Sequence, residues 1–239
     1  MSNWLERAEL LVGPHNIEKL SKKHVAVVGL GGIGGFAVEC LARAGVGEFT
    51  LVDGDTIEAS NRNRQVIALA SNDGKCKVGA MAERVLDINP AAKVHQVTEF
   101  LSPENLSQIG LEKADVLLDC IDTLTPKTLM IQYARQNKID LVSCLGAGGK
   151  LDPAKVKVCD ISKTYNCTLA RAVRKRLYKL GIRRKVTVVF SPELPDKNSL
   201  MLTDGSNFKK SSLGTISYMP PLFGLYASSA VIRKVLRED

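Results

Sequence analysis

The sequence predicts an α/β protein with a Rossmann-like, doubly wound and mostly parallel sheet. Short β-branched apolar runs alternate with segments whose apolar residues recur at helical spacing. A glycine-rich turn follows the first of these runs, at a strand-to-helix junction. The chain has 239 residues, of which 45% are hydrophobic and 24% charged. This composition can bury one full core and excludes disordered, collagen-like and disulfide-scaffold classes.

The first quarter of the chain contains the strand–helix–strand unit on which the fold prediction depends. Two adjacent parallel strands need a crossover connection, and about 30 residues separate the start of one predicted strand from the end of the next. The predicted elements are a helix over 3–12 that stops at Gly13-Pro14, a strand over 24–28, a helix over 33–44 and a strand over 48–52.

The same alternation continues to about residue 150 and then changes. We predict a first region, 1–150, and a smaller basic region, 151–239, within one continuous fold. In the first region a helix is expected over 77–88, strands over 94–98 and 115–119, a helix over 124–137 and a strand over 140–145. The second region is expected to contain a strand over 155–159, a basic helix over 168–180, a strand over 186–190 and a polar loop over 192–212.

The charges are distributed unevenly between these two regions. Residues 1–150 carry 16 basic and 18 acidic side chains, whereas residues 151–239 carry 17 basic and 7 acidic ones. The whole net charge of +8 therefore comes from the last third of the chain. Such asymmetry indicates a polyanionic partner for the second region, and a basic solvated surface is the alternative.

The six cysteines include no C-x-x-C pair, so we expect no zinc and no redox dithiol. Reduced cysteines and the lack of a secretory signal at the N-terminus predict a cytoplasmic protein. Cys144 is expected to be a buried thiol, and Cys167, in a polar stretch, to be exposed.

The segment 211–232 contains 22 uncharged residues, which is long enough to span a bilayer, but Pro220 and Pro221 make it a poor membrane helix. We expect a core strand and a buried helix there. Membrane contact is kept as the lesser alternative.

A glycine motif follows the strand over 24–28. Gly29, Gly31 and Gly34 form G-x-G-x-x-G, which permits a tight turn and lets phosphate oxygens approach the helix N-terminus. Asp53 ends the second strand, where it can accept hydrogen bonds from ribose hydroxyls. A structural glycine turn is the alternative, and the motif alone leaves NAD, FAD and ATP open.

The segment after Asp53 favours a triphosphate over NAD. It is polar and contains two arginines over 58–65, and Lys77 begins the next helix. Guanidinium groups beside a phosphate loop can chelate the β- and γ-oxygens that NAD lacks, and Lys77 can reach them as a point charge. Each of these cations taken alone is more typical of a solvated surface.

Five ordered motifs resemble those of the ThiF/MoeB and ubiquitin-activating-enzyme superfamily of adenylating proteins. They are G-x-G-G-x-G at 29–34, V-D-x-D at 52–55, S-N-x-x-R-Q at 60–65, G-K-x-K at 74–77 and D-C-x-D at 119–122. The resemblance implies Mg-ATP binding and conversion of a carboxylate into an acyl-adenylate with release of pyrophosphate. It implies that the phosphates are lined by the glycines Gly29, Gly31, Gly32 and Gly34 and that Asp53 holds the ribose. It also implies that the triphosphate is contacted by Asn61, Arg64 and Lys77 and that Asp122 holds Mg²⁺. Finally, it implies a homodimer in which Arg7 reaches the ATP of the partner subunit.

The role implied for Asp122 is chemically reasonable. A carboxylate that attacks an α-phosphate must overcome charge repulsion, which cations and a metal reduce. Asp122 follows a predicted parallel strand, at the sheet edge where open α/β sheets bind ligands. The alternative is that Asp122 caps the helix over 124–137. Asp119, on a buried run, is expected to be structural.

The second region resembles the tRNA threonylcarbamoyladenosine dehydratase branch of that superfamily. D-I-S-K-T at 160–164, the basic helix and V-V-F-S-x-E-x-P at 188–195 carry the likeness, while Cys167-Thr168 departs from the usual Asp-Pro. The branch implies ATP-dependent cyclisation of a modified adenosine beside the tRNA anticodon. Eight cations within 171–185 are the expected tRNA contacts: Arg171, Arg174, Lys175, Arg176, Lys179, Arg183, Arg184 and Lys185.

Three other functions were considered. The first is an adenylating activator of a small ubiquitin-like or sulfur-carrier protein, with which a sulfur-transfer partner would fit. The second is a dinucleotide-binding dehydrogenase, and the third is a nucleotide-sensing RNA-binding module without catalysis.

Overall fold

The computed structural model describes residues 3–195, 199–202 and 211–237. The strands of its main sheet are β1 (His24–Val28), β2 (Glu48–Val52), β3 (Lys93–Val97), β4 (Val116–Asp119), β5 (Asp140–Cys144), β6 (Lys157–Asp160) and β7 (Thr187–Phe190). They lie in the order β3-β2-β1-β4-β5-β7-β6. All neighbouring pairs are parallel except β6 with β7, which is antiparallel. The predicted doubly wound, mostly parallel sheet is therefore confirmed.

Seven α-helices are found in the described part of the chain and cover both faces of the sheet. They are α1 (Glu6–Val12), α2 (Pro14–Ser21), α3 (Gly34–Arg43), α4 (Lys77–Ile88), α5 (Leu124–Gln136), α6 (Thr168–Lys179) and α7 (Met219–Val235). Buried residues of α3, α4 and α7 pack on one face, against Val25, Val27 and Phe49. Buried residues of α5 and α6 pack on the other face, in two adjoining clusters. Burial on both faces explains why β1 is apolar after His24 and β4 is apolar up to Asp119.

The helix α7 fixes the position of α3 and of the loop before it. A Cβ atom added at Gly224 of α7 would lie 2.4 Å from the carbonyl oxygen of Ile33 and 3.0 Å from the backbone nitrogen of Ala37. Only glycine permits this approach between the two helices. Phe223, Ala227 and Val231, also in α7, are fully buried.

The helix predicted to stop at Gly13-Pro14 does stop there, since α1 ends at Val12 and Gly13 is its C-cap. A second helix, which was not predicted, begins at once with Pro14. Proline suits that position, where no intrahelical N–H bond is lost. The polar loop predicted over 192–212 contains two short antiparallel strands, β8 (Leu200–Leu202) and β9 (Ser211–Leu213). Residues 196–198 and 203–210 of that loop lie outside the described residues.

The uncharged segment 211–232 is part of the fold, but its strand does not join the core. Among the described residues, the strand β9 pairs with β8 in a separate two-stranded sheet and not with the seven-stranded sheet. The predicted buried helix is α7. Within the described ranges, the structure contains no helix long and apolar enough to cross a membrane.

The two cysteines discussed above are both buried. Cys144 is buried at the end of β5, as predicted. Cys167 is only 7% exposed, so its predicted exposure was wrong. Its thiol sits at the N-cap of α6, where the sulfur accepts a hydrogen bond from the backbone N–H of Ala170 at 3.4 Å. A thiol therefore replaces the carboxylate that usually precedes this helix in the branch that the sequence resembles.

Both edge strands of the main sheet carry lysine. Lys93 begins β3 and Lys157 begins β6, and both side chains are exposed. The other exposed residues of these strands include His95, Gln96 and Val158. The two edges are therefore more polar than the central strands.

A buried ion pair joins the ends of β4 and β5 to α5. The side chains of Lys127 and Asp119 are 0% exposed, and Lys127 Nζ lies 2.7 Å from Asp119 Oδ2. The ammonium also donates to the carbonyl oxygen of Cys144 at 2.8 Å, and Ser143 Oγ donates to Asp119 Oδ2 at 2.5 Å. The backbone N–H of Ile121 donates to Asp119 Oδ1 at 3.0 Å. Asp119 therefore has the structural role that was expected of it.

We predict that Lys127→Met lowers the free energy of unfolding by about 3–5 kcal/mol, because it leaves the Asp119 carboxylate buried without its counter-charge. Urea denaturation measures the change. Adding Asp119→Asn removes the second charge and should restore part of the loss. Lys163→Met, at an exposed lysine, is the matched control and should change stability by less than about 0.5 kcal/mol. An equal effect of the two lysine substitutions would contradict the importance of the pair.

Candidate nucleotide-binding site

The glycine loop connects β1 to α3 through backbone approaches that exclude side chains. Gly29 has a φ of +90°, and a Cβ there would lie 2.9 Å from the carbonyl oxygen of Cys120. A Cβ at Gly34 would lie 1.8 Å from the carbonyl oxygen of Gly29. These two glycines allow the chain to turn sharply beside the end of β4 and to begin α3 at once. The helix N-terminus consequently faces the carboxyl edge of the sheet.

Gly31 and Gly32 lie against the segment that follows β2. A Cβ at Gly32 would lie 3.0 Å from the carbonyl oxygen of Arg64 and 2.8 Å from Cβ of Pro220. At Gly31 the nearest atom is Gln65 Nε2, at 3.8 Å. The structure thus brings the S-N-x-x-R-Q motif, the glycine loop and the start of α7 together.

Asp53 links the glycine loop to the end of β2. Its Oδ2 accepts a hydrogen bond from the backbone N–H of Leu30 at 2.6 Å, and its Oδ1 accepts one from Asp55 at 2.9 Å. Burial raises the pKa of this carboxyl, while the charge of Lys77 and the two N–H donors act in the opposite direction. Asp53 therefore positions the loop, in addition to the ribose contact that the resemblance implies.

Asn61 and Arg64 lie in the segment that follows β2, Lys77 begins α4, and each side chain has protein partners. Asn61 Oδ1 accepts from the backbone N–H of Glu58 at 3.3 Å. Arg64 Nη1 donates to the carbonyl oxygen of Ser60 at 3.0 Å. Lys77 is only 5% exposed, and its Nζ lies 2.7 Å from Asp55 Oδ2. The cations are thus held beside the loop by neighbouring oxygen atoms.

Asp122 lies beyond the end of β4, next to the loop that carries Gly29. Its side chain is exposed at the carboxyl edge of the sheet. The N-cap of α5 is Thr123, so the alternative that Asp122 caps this helix was wrong. Asp122 and Asp119 have different environments because one lies outside the strand and the other is buried within it.

Two residues of the quoted motifs had no role assigned from the sequence. Asp55 is the ion-pair partner of Lys77. Gln65 is buried, and its Oε1 has no hydrogen-bond partner among the described residues. Their places in V-D-x-D and S-N-x-x-R-Q could have indicated a role, but the motifs do not say which atom each side chain contacts.

Seven of the eight predicted RNA-contacting cations form an exposed surface, which we call the basic face: Arg171, Lys175, Arg176, Lys179, Arg183, Arg184 and Lys185. Arg174 differs, because it is half-buried and donates to the carbonyl oxygen of Thr164 at 2.8 Å. Arg176 Nη1 donates to Thr125 Oγ1 at 2.7 Å. Thr125 lies in the first turn of α5, so the basic face adjoins the edge that carries Asp122.

A buried lysine lies beyond the end of β5, beside Cys167. Lys150 Nζ donates to the carbonyl oxygen of Glu193 at 2.6 Å. Burial lowers the pKa of this lysine, while the nearby Cys167 and Glu193 groups oppose the shift. The Glu193 carboxylate accepts hydrogen bonds from the backbone N–H groups of Leu151 and Asp152. These contacts fix the strand-to-loop connection next to the candidate site.

Arg7 is not brought to the nucleotide site of its own chain. It lies exposed on α1, and Leu5, just before that helix, contacts Gly45 beyond the last turn of α3. The helix α3 has 10 residues and starts at the glycine loop. At about 1.5 Å per residue, Leu5 and the start of α1 are therefore separated from the loop by about the length of α3, near 15 Å.

Comparison with known proteins gives consistent results over the whole chain. The model of the ThiF family matches residues 5–239. A tRNA threonylcarbamoyladenosine dehydratase of Bacillus subtilis is 36% identical, with 100% of this chain and 96% of that protein covered. A Haemophilus influenzae protein of the same name is also 36% identical, over 95% of this chain and 91% of the relative. The crystal structure of Escherichia coli TcdA, a tRNA N6-threonylcarbamoyladenosine dehydratase, in complex with ATP has a TM-score of 0.87 and 34% identity, covering 99% and 96% of the two chains.

We predict that Gly34→Ala weakens ATP binding at least about tenfold. The added methyl group would displace the loop, and with it the backbone N–H groups at the N-terminus of α3 that bind phosphate. Isothermal titration calorimetry measures the affinity. Gly79→Ala, in α4, is the matched control, since nothing lies within 4 Å of its added Cβ. It should retain parental affinity and raise stability by about 0.5–1 kcal/mol. Parental affinity in Gly34→Ala would show that the close approach is dispensable.

Proposed function

Because this chain belongs to the ThiF family, we propose that it uses ATP to dehydrate threonylcarbamoyladenosine in tRNA. The observation that carries the proposal is the full-length similarity to tRNA threonylcarbamoyladenosine dehydratases. The glycine loop, Asp53 and the cations Arg64 and Lys77 support it. The product is a cyclised side chain, and the reaction proceeds through an acyl-adenylate.

The loop and its neighbours fit a nucleotide. The space beside the Gly31 backbone is open, because the atom nearest to a Cβ added there is Gln65 Nε2, at 3.8 Å. A side chain at this position would fill the space. The unpartnered Oε1 of Gln65 is a buried acceptor beside this loop, which a nucleotide hydroxyl or a bound water can satisfy. Asp53 supplies the carboxylate for the ribose. We therefore assign Gly29, Gly31, Gly32, Gly34 and Asp53 to ATP binding.

The cations around the loop suit the triphosphate. We assign Asn61, Arg64 and Lys77 to its oxygens and Asp122 to Mg²⁺, which supplies charge neutralisation of the phosphates when bound. Lys77 must exchange or share its Asp55 partner to contact a phosphate. Because Asp55 holds the ammonium in place beforehand, little reorganisation is needed when ATP arrives.

The chemistry requires no enzyme nucleophile. An oxygen of the threonyl carboxylate attacks the α-phosphorus of ATP, and pyrophosphate leaves. The carbamoyl group of the same side chain then attacks the activated carbonyl carbon and gives up one proton to the solvent, which closes the ring and releases AMP. Attack within one side chain provides a high effective concentration. AMP carries away the carboxylate oxygen, so the net result is loss of water from the modified adenosine.

The cysteine next to the site is poorly suited to covalent catalysis. A hydrogen bond with Cys144 and burial raise the pKa of the Cys120 thiol well above its ordinary value. The thiolate is the reactive form of cysteine, and this environment disfavours it. Cys120 is therefore a poor candidate for the nucleophile of sulfur-carrier chemistry that uses a persulfide or thioester.

We assign tRNA binding to the basic face and retain Arg174 as a positioning residue for α6. Because Arg176 adjoins the first turn of α5, a phosphate backbone on this face would pass beside Asp122.

We further propose that the protein is a cytoplasmic homodimer in which Arg7 serves the partner's site, since Arg7 lies away from its own glycine loop. A sulfur-transfer protein is a further candidate partner.

The principal alternative is activation of a ubiquitin-like or sulfur-carrier protein. A SAMP-activating enzyme of Haloferax volcanii is 32% identical over 67% of this chain. AMP formation separates the two functions when the enzyme is given modified tRNA, the same tRNA without the threonylcarbamoyl group, or a carrier protein with a C-terminal glycine. The proposed function requires AMP with the modified tRNA alone, and AMP with only the carrier would overturn it.

We predict that Arg64→Ala and Asp122→Ala each lower AMP formation at least about a hundredfold, because the developing phosphate charge loses a cation or the metal's ligand. The release of AMP and pyrophosphate from modified tRNA is measured, with circular dichroism to check folding. Arg43→Ala, an exposed arginine at the end of α3 that pairs with Glu39, is the control and should be unaffected. Near-parental turnover in either site variant would refute its assignment.

We predict that replacing Lys175, Lys179 and Arg183 with glutamine weakens tRNA binding and lowers the slope of log affinity against log salt by about one for each lost phosphate contact. ATP affinity should be unchanged, because these residues lie outside the glycine loop and its neighbours. Lys19, Lys22 and Arg43, replaced together, control for the loss of three charges elsewhere. Coincident salt titrations of labelled tRNA for the parent and the basic-face variant would exclude this surface as the RNA site.

A further inference from the structure

We propose that His24, Glu48 and His95 form a binding site for one divalent transition-metal ion of the zinc type. The three side chains lie at the start of the sheet, far from the nucleotide site. His24 is the first residue of β1, whereas the glycine loop follows its last residue. Five residues of strand, at about 3.3 Å each, separate the two ends by about 16 Å.

Strand register places the three side chains on one face of the sheet. His24 is paired with Glu48 between β1 and β2, and His95 is paired with Thr50 between β2 and β3. Glu48 and Thr50 are two residues apart, so their side chains point to the same side. The paired histidines share that side. Three adjacent parallel strands therefore each contribute one ligand.

The separations of the ligand atoms suit a single small cation. Glu48 Oε1 lies 2.8 Å from His95 Nε2 and 3.8 Å from His24 Nδ1. All three ligand atoms lie within 4.8 Å of one another. Ligands at about 2.0–2.1 Å from a tetrahedral Zn²⁺ are about 3.3 Å apart, so the observed distances bracket the required one. Two imidazoles with one carboxylate are a ligand set that suits zinc.

The contacts around His24 orient it as a ligand. Its Nε2 lies 2.8 Å from Thr50 Oγ1, and its Nδ1 lies 3.1 Å from the carbonyl oxygen of Lys113. With the proton on Nε2 donated to Thr50, the lone pair of Nδ1 faces the space shared with Glu48 and Lys113. A hydrogen bond from the second ring nitrogen is typical of metal-bound histidine. The Lys113 carbonyl or a water molecule can complete the coordination.

The three side chains have different environments. Burial lowers the pKa of His24, which is 7% exposed, while Glu48 and the hydrogen bond to Lys113 act in the opposite direction. A hydrogen bond from His95 lowers the pKa of Glu48. His24 is buried at the start of β1, whereas the His95 side chain is exposed.

The same contacts have a simple explanation without a metal. If the proton lies on Nδ1 of His24, it is donated to Lys113, and Nε2 accepts from Thr50. Metal binding requires the opposite tautomer, which distinguishes the two cases experimentally. The lack of paired cysteines led us to expect no zinc, but that expectation concerned thiolate ligands, and this site has none.

The experiment uses the tag-free parent protein, His95→Ala and Glu48→Gln, with His15→Ala as the matched control. His15 is the third histidine of the chain and lies exposed on α2. Zn²⁺ binding is measured by calorimetry, and Co²⁺ is used as a spectroscopic probe to identify thiolate ligands. The ¹⁵N shifts of the histidine rings report the tautomer of His24.

The proposal requires one Zn²⁺ per chain, with affinity reduced at least about tenfold in His95→Ala and in Glu48→Gln and unchanged within about twofold in His15→Ala. The Co²⁺ spectrum should show no thiolate charge-transfer band, and Zn²⁺ should shift the His24 proton to Nε2. AMP formation by His95→Ala should remain parental, which separates this site from the nucleotide site. Absence of stoichiometric binding, or equal binding by His95→Ala and the parent, would overturn the proposal.

Discussion

The contact between the N-terminus of α3 and the carbonyl oxygen of Gly29 is the constraint on which the rest of the site depends. The approach is closer than a Cβ atom at Gly34 would allow. It sets the direction of α3, against which α7 packs through Gly224. The start of α7 in turn places Pro220 against Gly32. Residues nearly 200 positions apart in the chain thus meet around one turn.

A second principle is that the charges of the site are already paired in the protein. Lys77 is held by Asp55, Asp53 by two backbone N–H groups, and Arg64 by the carbonyl oxygen of Ser60. Buried charges are stable only with such partners. Beneath them, the pair of Asp119 and Lys127 joins β4, β5 and α5. The polar residues that face a ligand therefore lie above a second, fully buried ion pair.

The central fold and the places of the glycine loop, Asp53 and Lys77 within it could be predicted because they follow from strong local signals. Largely apolar strands, a glycine turn and ordered motifs predicted β1, β2, α4 and the place of Asp53 to within a residue or two. The failures arose where tertiary contacts decide. Pro14 begins a second helix that was not predicted, Cys167 is covered by the packing of α6, and Arg174 bonds Thr164 instead of facing solvent. Neither Asp55 nor Gln65 could be given a partner from its motif, because those contacts span separate segments.

The lysines on the two edge strands have a consequence for how copies of this chain can associate. An unprotected edge strand is a template on which another sheet can extend, and inward or flanking charges oppose that extension. Lys93 on β3 and Lys157 on β6 place an exposed cation at each edge, and a second strand added there would remove part of its hydration. Assembly into a continuous intermolecular sheet is thereby disfavoured. An association of two copies through helices and loops avoids this cost, because their side chains can interlock without exposing unpaired backbone.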